Sequence, residues 1–160
     1  MGHGLSSLSK TVISSLETLS LSGASSVDGR PIEVRLELAD GLPSVRGDAA
    51  EIRGVIASLV RNALDAMPDG GTLRLSTRSV DDAPGRDAPC ATVLAVTDGG
   101  GGMAPEFRER MLFRPFVSTR PDGMGLGLFQ SKRVVESYGG RLRALAGTGP
   151  GTTFELELPA

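Results

Sequence analysis

Ala91-Thr-Val-Leu-Ala-Val-Thr-Asp98-Gly-Gly-Gly-Gly-Met103 is the stretch on which the fold turns. Residues 91–97 are all apolar or β-branched, which predicts a strand buried on both faces at the centre of a sheet. A carboxylate ends the run and four glycines follow it. Four glycines in a row are costly in conformational entropy for a simple turn. They would let a flat ring lie against backbone with no Cβ in the way, while Asp98 accepts a hydrogen bond from an exocyclic amine. A turn that merely ends the strand is the other reading at this point.

Working outward, Pro31 to Leu38 and Thr72 to Ser79 alternate apolar with polar residues, the pattern of half-buried strands. Arg141 to Ala146 and Thr152 to Leu158 predict two more, joined by a Gly-Thr-Gly-Pro-Gly turn. Leu5, Leu8, Val12, Leu16 and Leu19 form one helical stripe over about residues 5 to 20. Ser22 to Gly29 is small and polar and is expected to be a loop. Asp48 followed by Glu51 resembles a capping box opening a helix that runs to about Met67 and stops at Pro68-Asp-Gly-Gly71. Pro105 suits the first position of a short helix, and Leu126 to Tyr138 predicts another, closed by Gly139-Gly140. The helices are grouped rather than alternating with every strand. The expected fold is therefore an α/β (α+β) two-layer sandwich, a mixed, largely antiparallel sheet with helices on one face.

Composition narrows the function. The chain of 160 residues has 17 basic and 19 acidic residues, a formal net charge of −2, which argues against a nucleic-acid groove or a polybasic membrane surface. Apolar runs stay far below the ~18 residues of a membrane span, and no signal-peptide pattern opens the chain. A single cysteine, Cys90, excludes an internal disulfide framework and suits a reducing compartment. A single histidine, His3, excludes histidine-cluster metal sites. Most basic residues are arginines, scattered along the chain, and are expected to reflect coding bias rather than chemistry. Glycine stands out at 22 residues, more than half of them from Gly99 onward.

Three elements carry possible chemistry. On the helix from Asp48, residues Glu51, Ser58, Asn62 and Asp65 share one side, and Asn62 lies close to the apolar arc, where an amide needs partners. A solvated polar face is the alternative there. Asp98 and its glycines form the second element. The third is Gly123-Met-Gly-Leu-Gly-Leu128 at a helix start, where free backbone N–H groups make an anion site. It is neither a P-loop nor a dinucleotide fingerprint, because no Gly-Lys-Ser/Thr follows and no strand directly precedes it.

In order along the chain, Ser58 to Ala66, Asp98 to Met103, Phe113-Arg-Pro-Phe116, Gly123 to Leu128 and Gly149 to Phe154 resemble the N, G1, F and G2 boxes and the final glycine-rich turn of one family. That family is the catalytic ATP-binding domain of sensor histidine kinases, within the superfamily shared with gyrase, Hsp90-type chaperones and MutL. The resemblance extends over nearly the whole chain from Ile32 and implies the Bergerat ATP-binding fold. It implies that Asn62 ligates Mg²⁺, that Asp98 binds the adenine amino group and that Gly100 and Gly102 form the adenine-side loop. Backbone at Gly125, Leu126, Gly127 and Leu128 would hold phosphates, and Thr152 or Thr153 would support adenine through water. Arg120, after Ser118-Thr119, would be a basic lid residue near the phosphates, acting with Asn62 in catalysis. Asp65, Met103, Thr119 and Gly123 would also border the nucleotide, and residues 104–122 would be a lid.

The implied function is ATP binding for phosphoryl transfer to a histidine on a separate dimerisation domain of a two-component sensor kinase, with a response regulator as indirect partner. ATP and Mg²⁺ are the expected cofactors and the cytoplasm the expected compartment, with no nucleic acid and no direct membrane contact. Residues 1–22 are expected to be the remnant of a helix leading to that absent domain, and 23–160 the catalytic domain. Two departures matter. Ser58 stands where many such kinases have Asn and hydrolytic relatives a water-activating Glu, which counts against a self-sufficient ATPase. No acceptor histidine sits in a helical hairpin, since His3 lies between glycines at the start of the chain. A degenerate module serving as a protein-binding platform is disfavoured by the intact Asn62, Asp98 and Gly123 to Gly127. Met1-Gly-His-Gly-Leu-Ser6 as a myristoylation signal, Arg46-Gly-Asp48 as an adhesion tripeptide and Cys90 as a reactive thiol all have blander explanations.

Overall fold

The structure is a computed structural model and describes residues 8–21, 23–27, 29–45, 47–80, 91–102, 106, 113–114, 127–146 and 151–160. In chain order its elements are α1 (Leu8–Thr18), β1 (Ala24–Val27), β2 (Arg30–Glu37), α2 (Ala49–Asp65), β3 (Gly71–Val80), β4 (Ala91–Asp98), α3 (Gly127–Ser137), β5 (Arg141–Ala146) and β6 (Thr152–Pro159). The strands form one sheet in the order β1-β2-β3-β4-β6-β5. Among the described strands, only β2 and β3 pair in parallel, with α2 as the crossover between them, and the other pairs are antiparallel. The expected mixed sheet with helices on one face is the observed architecture.

Register explains the layering. Leu73, Leu75, Leu94, Val96, Phe154 and Leu156 fall on one face in paired positions and join Ile52, Val55, Ile56 and Leu59 of α2 in a single buried core. The opposite face carries Arg35 with Glu33, Arg74 with Glu37, Arg78 and Arg143 with Glu155, and Arg141 with Glu157. The arginines that look scattered in sequence thus include five gathered on one sheet face, because alternation sends every second strand residue there. The pairs of Arg35 with Glu33 and of Arg74 with Glu37 are exposed and contribute about 0–1 kcal/mol each, whereas Glu155, its side chain mostly buried, is shared by Arg78 and Arg143.

β1 overturns the expected loop at 22–29. Its hydrogen bonds come from an antiparallel hairpin with β2, in which Val27 faces Arg30 across two residues. α1 contributes Leu8, Val12 and Leu16 to the core, and its serines and threonines are accommodated by specific bonds. The Ser9 hydroxyl donates to the Ala39 carbonyl and meets Thr77 Oγ1 at 2.9 Å, while the Ala39 N–H donates to that same Thr77 oxygen. Every buried side-chain polar atom among the described residues has a partner. No described helix is long and apolar enough to cross a membrane.

The helix cap at Asp48 forms as expected, its Oδ1 accepting from the N–H groups of Ala50 at 2.7 Å and Glu51 at 3.2 Å. The capping box is completed through a third residue. The Asp48 N–H donates to the Tyr138 hydroxyl at 3.0 Å, and that hydroxyl donates to the Glu51 carboxylate. The phenol is held above its usual pKa by its bond to the Glu51 carboxylate. Tyr138 follows α3, so this relay ties the end of α3 to the start of α2.

Candidate functional site

The site grows around the C-terminal end of β4. Asp98 is 4% exposed on the helix-facing side of the sheet. Its Oδ1 accepts from the Gly100 N–H at 2.8 Å and from the Thr152 N–H at 3.4 Å. Both bonds fall on the same oxygen, which leaves Oδ2 to accept from a ligand donor. Burial pushes this carboxyl above the usual aspartate range, and the two N–H bonds pull it part of the way back.

The loop that follows β4 is fixed by close backbone approaches. A Cβ on Gly100 would stand 2.3 Å from the Ala66 carbonyl oxygen at the end of α2, and one on Gly151 would stand 1.8 Å from the Asp98 carbonyl oxygen. Gly102 adopts φ +74, whereas a Cβ on Gly101 would meet nothing within 4 Å. The four glycines therefore serve different ends. Position 100 needs the space, position 102 needs the left-handed backbone, and position 101 is open. Next to them, the Gly99 N–H donates to Met67 Sδ at 3.4 Å.

α2 links this loop to the start of α3. Asn62, half-buried, and Asp65, exposed, occupy its last turn. At mid-helix, Ser58 Oγ lies 3.1 Å from where a Cβ on Gly127 would be. The first turn of α3, with Gly127 and Leu128, is thus seated directly on α2. Phe113 of the F-box segment stands edge-on to Phe154 at 6.4 Å between centroids, with Lys132 Nζ of α3 at 5.3 Å from its ring centre.

Of the residues singled out from sequence, Asp98, Gly100 and Thr152 are brought together by direct contact, and Gly102 continues the same loop. Thr153 is not with them: it points to the opposite sheet face, where its hydroxyl bonds Thr97 at 2.9 Å. Met103, Thr119, Arg120, Gly123, Gly125 and Leu126 lie outside the described residues, as do His3, Arg46 and Cys90. Sequence reasoning passed over Gly151 as a residue of steric necessity and Met67 as an acceptor. The signal for Gly151 was its place directly before a strand bordering Asp98; nothing in the sequence marks the Met67 contact.

The chain is similar to known proteins in sequence and in fold. Residues 47–160 match the family described as histidine kinase-, DNA gyrase B- and HSP90-like ATPase. The chain is 37% identical over 131 residues to the C4-dicarboxylate transport sensor protein DctB of Rhizobium meliloti, covering 81% of this chain and 20% of that protein. It is 34% identical over 154 residues to the sensor protein FixL of Bradyrhizobium diazoefficiens, covering 96% of this chain and 28% of that one. The chain therefore spans less than a third of the length of these curated relatives. The solved structure of the mycobacterial sensor histidine kinase MprB superposes with a TM-score of 0.74 at 28% identity, covering 95% of this chain and 93% of that one. With most of its length matched by that family's model and its fold shared with a solved sensor kinase, the chain belongs to the histidine kinase-, DNA gyrase B- and HSP90-like ATPase family, as an ATP-binding catalytic domain of the sensor histidine kinase kind.

Proposed function

We propose that the chain positions ATP and Mg²⁺ for transfer of the γ-phosphoryl group to a histidine on a separate helical dimerisation domain, from which a response regulator is served. The observation that carries the reading is the buried Asp98 carboxylate, with Oδ1 held by Gly100 and Thr152 and Oδ2 left for a donor. In this reading Asp98 accepts from the adenine amino group, Gly100 and Gly102 border the ring, and Thr152 supports it through water. Backbone N–H groups of residues 125–128, of which Gly127 and Leu128 open α3, hold the phosphates. Thr119 and Arg120 meet the phosphates from the lid, and Asp65, Met103 and Gly123 border the nucleotide. α1 is read as the helix leading in from the histidine-bearing domain, and the cytosol as the compartment.

Asn62 fits a hard cation that brings most of its own oxygens, since Mg²⁺ keeps several waters and is usually held by one or two protein oxygens with substrate phosphates. When bound, the ion neutralises phosphate charge. The chain's own residues bind, orient and exclude water, which is most of what phosphoryl transfer asks of a protein. Asn62→Ala is expected to weaken Mg²⁺-dependent ATP binding by on the order of tenfold while leaving metal-free binding nearly unchanged. Calorimetric titrations with Mg²⁺ and with a chelator check this, and equal losses in both would make Asn62 a structural residue.

Self-sufficient hydrolysis is disfavoured by a specific observation. Ser58 offers no carboxylate at the position where a water-activating base would stand, and Glu51, two helical turns away at roughly 10 Å, is engaged by the Tyr138 hydroxyl. Incubated with γ-labelled ATP, the chain alone is expected neither to label itself nor to release phosphate briskly. Adding the parent kinase's histidine-bearing hairpin in trans should give acid-labile phosphohistidine on the hairpin, slowly, because effective concentration is low without a covalent link. Labelling at His3 or brisk phosphate release would overturn the reading.

A further inference from the structure

The end of α2 is where the proposed metal ligand, the adenine loop and the crossover into β3 converge. Its last turn contains no basic residue, and its final residue is Asp65, an acidic group at the negative end of the helix dipole. The cation comes from elsewhere. Arg30, the first residue of β2, extends its guanidinium to the helix end, and Nη1 donates to the Leu64 carbonyl at 2.8 Å and the Met67 carbonyl at 3.1 Å. Its Nε donates to the Val27 carbonyl at 3.2 Å, so the same group also holds the β1–β2 hairpin.

What Arg30 grips is the support of the Asp98 loop. Met67, whose carbonyl it binds, presents Sδ to the Gly99 N–H. Ala66, lying between the two gripped carbonyls, presents the oxygen that Gly100 can approach only for want of a Cβ. Asn62 precedes them by one turn, its carbonyl accepting from the Ala66 N–H at 3.1 Å. Both gripped carbonyls also accept a backbone N–H at 3.1 Å, Leu64 from Met67 and Met67 from Gly70, so Arg30 adds a second, charged donor at the negative end of the helix, and losing that donor loosens the last turn. Here that turn is one wall of the loop that orients Asp98.

We propose that Arg30 is a positioning residue for nucleotide binding, acting through the α2 C-terminus on Asn62 and on the Asp98 loop without touching nucleotide. The inference rests on the assignment of Asp98 as the adenine acceptor.

The test is a double-mutant cycle on the 160-residue chain, read as ADP affinity in the presence of Mg²⁺ by calorimetry. Arg30→Ala is expected to weaken ADP binding about fivefold to twentyfold, the usual worth of one or two charge-assisted hydrogen bonds. The cost of Asp98→Asn should shrink at least threefold in the Arg30→Ala background, because the loop that presents Asp98 is already loosened. Arg30→Lys, which keeps the charge but not the planar fork, should recover part of the affinity, and it replaces Arg30→Ala in the cycle if the alanine variant does not fold. Tyr138→Phe, which breaks the relay at the opposite end of the same helix, is the control for general loss of stability and should combine additively with Asp98→Asn. Unchanged ADP affinity in the Arg30 variants, or additivity with Asp98→Asn, overturns the inference. Failure of the unmodified chain to bind ADP would instead overturn the nucleotide assignment itself.

Discussion

Gly151→Ala is expected to be among the most damaging single-methyl changes the chain can take. The added Cβ would stand 1.8 Å from the Asp98 carbonyl oxygen and 2.7 Å from its carbonyl carbon, both backbone atoms, so no side-chain rotation relieves the overlap. Either β6 moves away from β4 or the end of β4 bends, and both strands are central to the sheet. Overpacking of this kind costs about 1–3 kcal/mol and occasionally more; rigid backbone on both sides argues for the upper end. The damage is also aimed at the site. Separating these strands stretches the Thr152 N–H bond to Asp98 Oδ1 and turns the carboxylate away from its ligand-accepting pose. ADP affinity should therefore fall further than stability alone would require. The internal standard is Gly54→Ala, in the middle of α2, where a Cβ meets nothing within 4 Å. That change should stabilise by roughly 0.5–1 kcal/mol through helix propensity. Urea unfolding of the two variants checks both signs, and a Gly151→Ala protein of ordinary stability and affinity would mean the strands are not packed as described.

The contrast shows which parts of the molecule sequence could and could not reveal. β4 was legible because a strand covered on both faces is apolar without interruption, and β6 because Phe154, Leu156 and Leu158 alternate with glutamates. α2 was legible from its apolar arc and its Asp48 cap. β1 was not, since Ala24-Ser-Ser-Val27 has almost no strand propensity and owes its pairing to β2. The Asp28-Gly29 pair between the two strands is nonetheless a strong hairpin signal and, weighed properly, would have identified the turn.

The site divides in the same way. Asp98 and its glycines announce themselves because their local sequence is costly unless it serves a purpose. Arg30 does not, because its partners are carbonyls 34 and 37 residues away along the chain, and a carbonyl leaves no mark on sequence. Tyr138 is similar: the capping box at Asp48 and Glu51 is readable, but the phenol inserted into it comes from 87 to 90 residues further on. Thr152 and Thr153 were separable by alternation, since Thr152 shares the parity of Phe154, Leu156 and Leu158. The register agrees, setting Thr97 opposite Thr153 and leaving Thr152 on the side of Asp98.

Asp98→Asn is expected to separate stability from function. With Asp98 as the proposed acceptor for the adenine amine, losing its charge should cost about 1.5–3 kcal/mol, or on the order of tenfold to a hundredfold in affinity. ATP and ADP should suffer alike, because both carry the same base. Without nucleotide the sign reverses. Burial raises the Asp98 pKa in the folded chain, so folding favours the protonated form. Its contribution is fully present below the unfolded aspartate value and is lost as pH rises through the raised folded value. At neutral pH the ionised carboxylate therefore burdens the fold, and an asparagine, whose Oδ1 can still accept from Gly100 and Thr152, removes that burden. The variant should unfold at an equal or higher temperature than the original chain at pH 7, with the difference narrowing under acid. ADP affinity of the original chain should decline as pH falls toward the raised pKa, while that of the variant stays low and flat. Calorimetric titration and thermal melts across pH 5 to 8 check both halves. A variant that binds ADP as the original does would remove Asp98 from the adenine site, and one that melts markedly lower at pH 7 would mean that the carboxylate's charge stabilises the loop rather than waiting for a ligand.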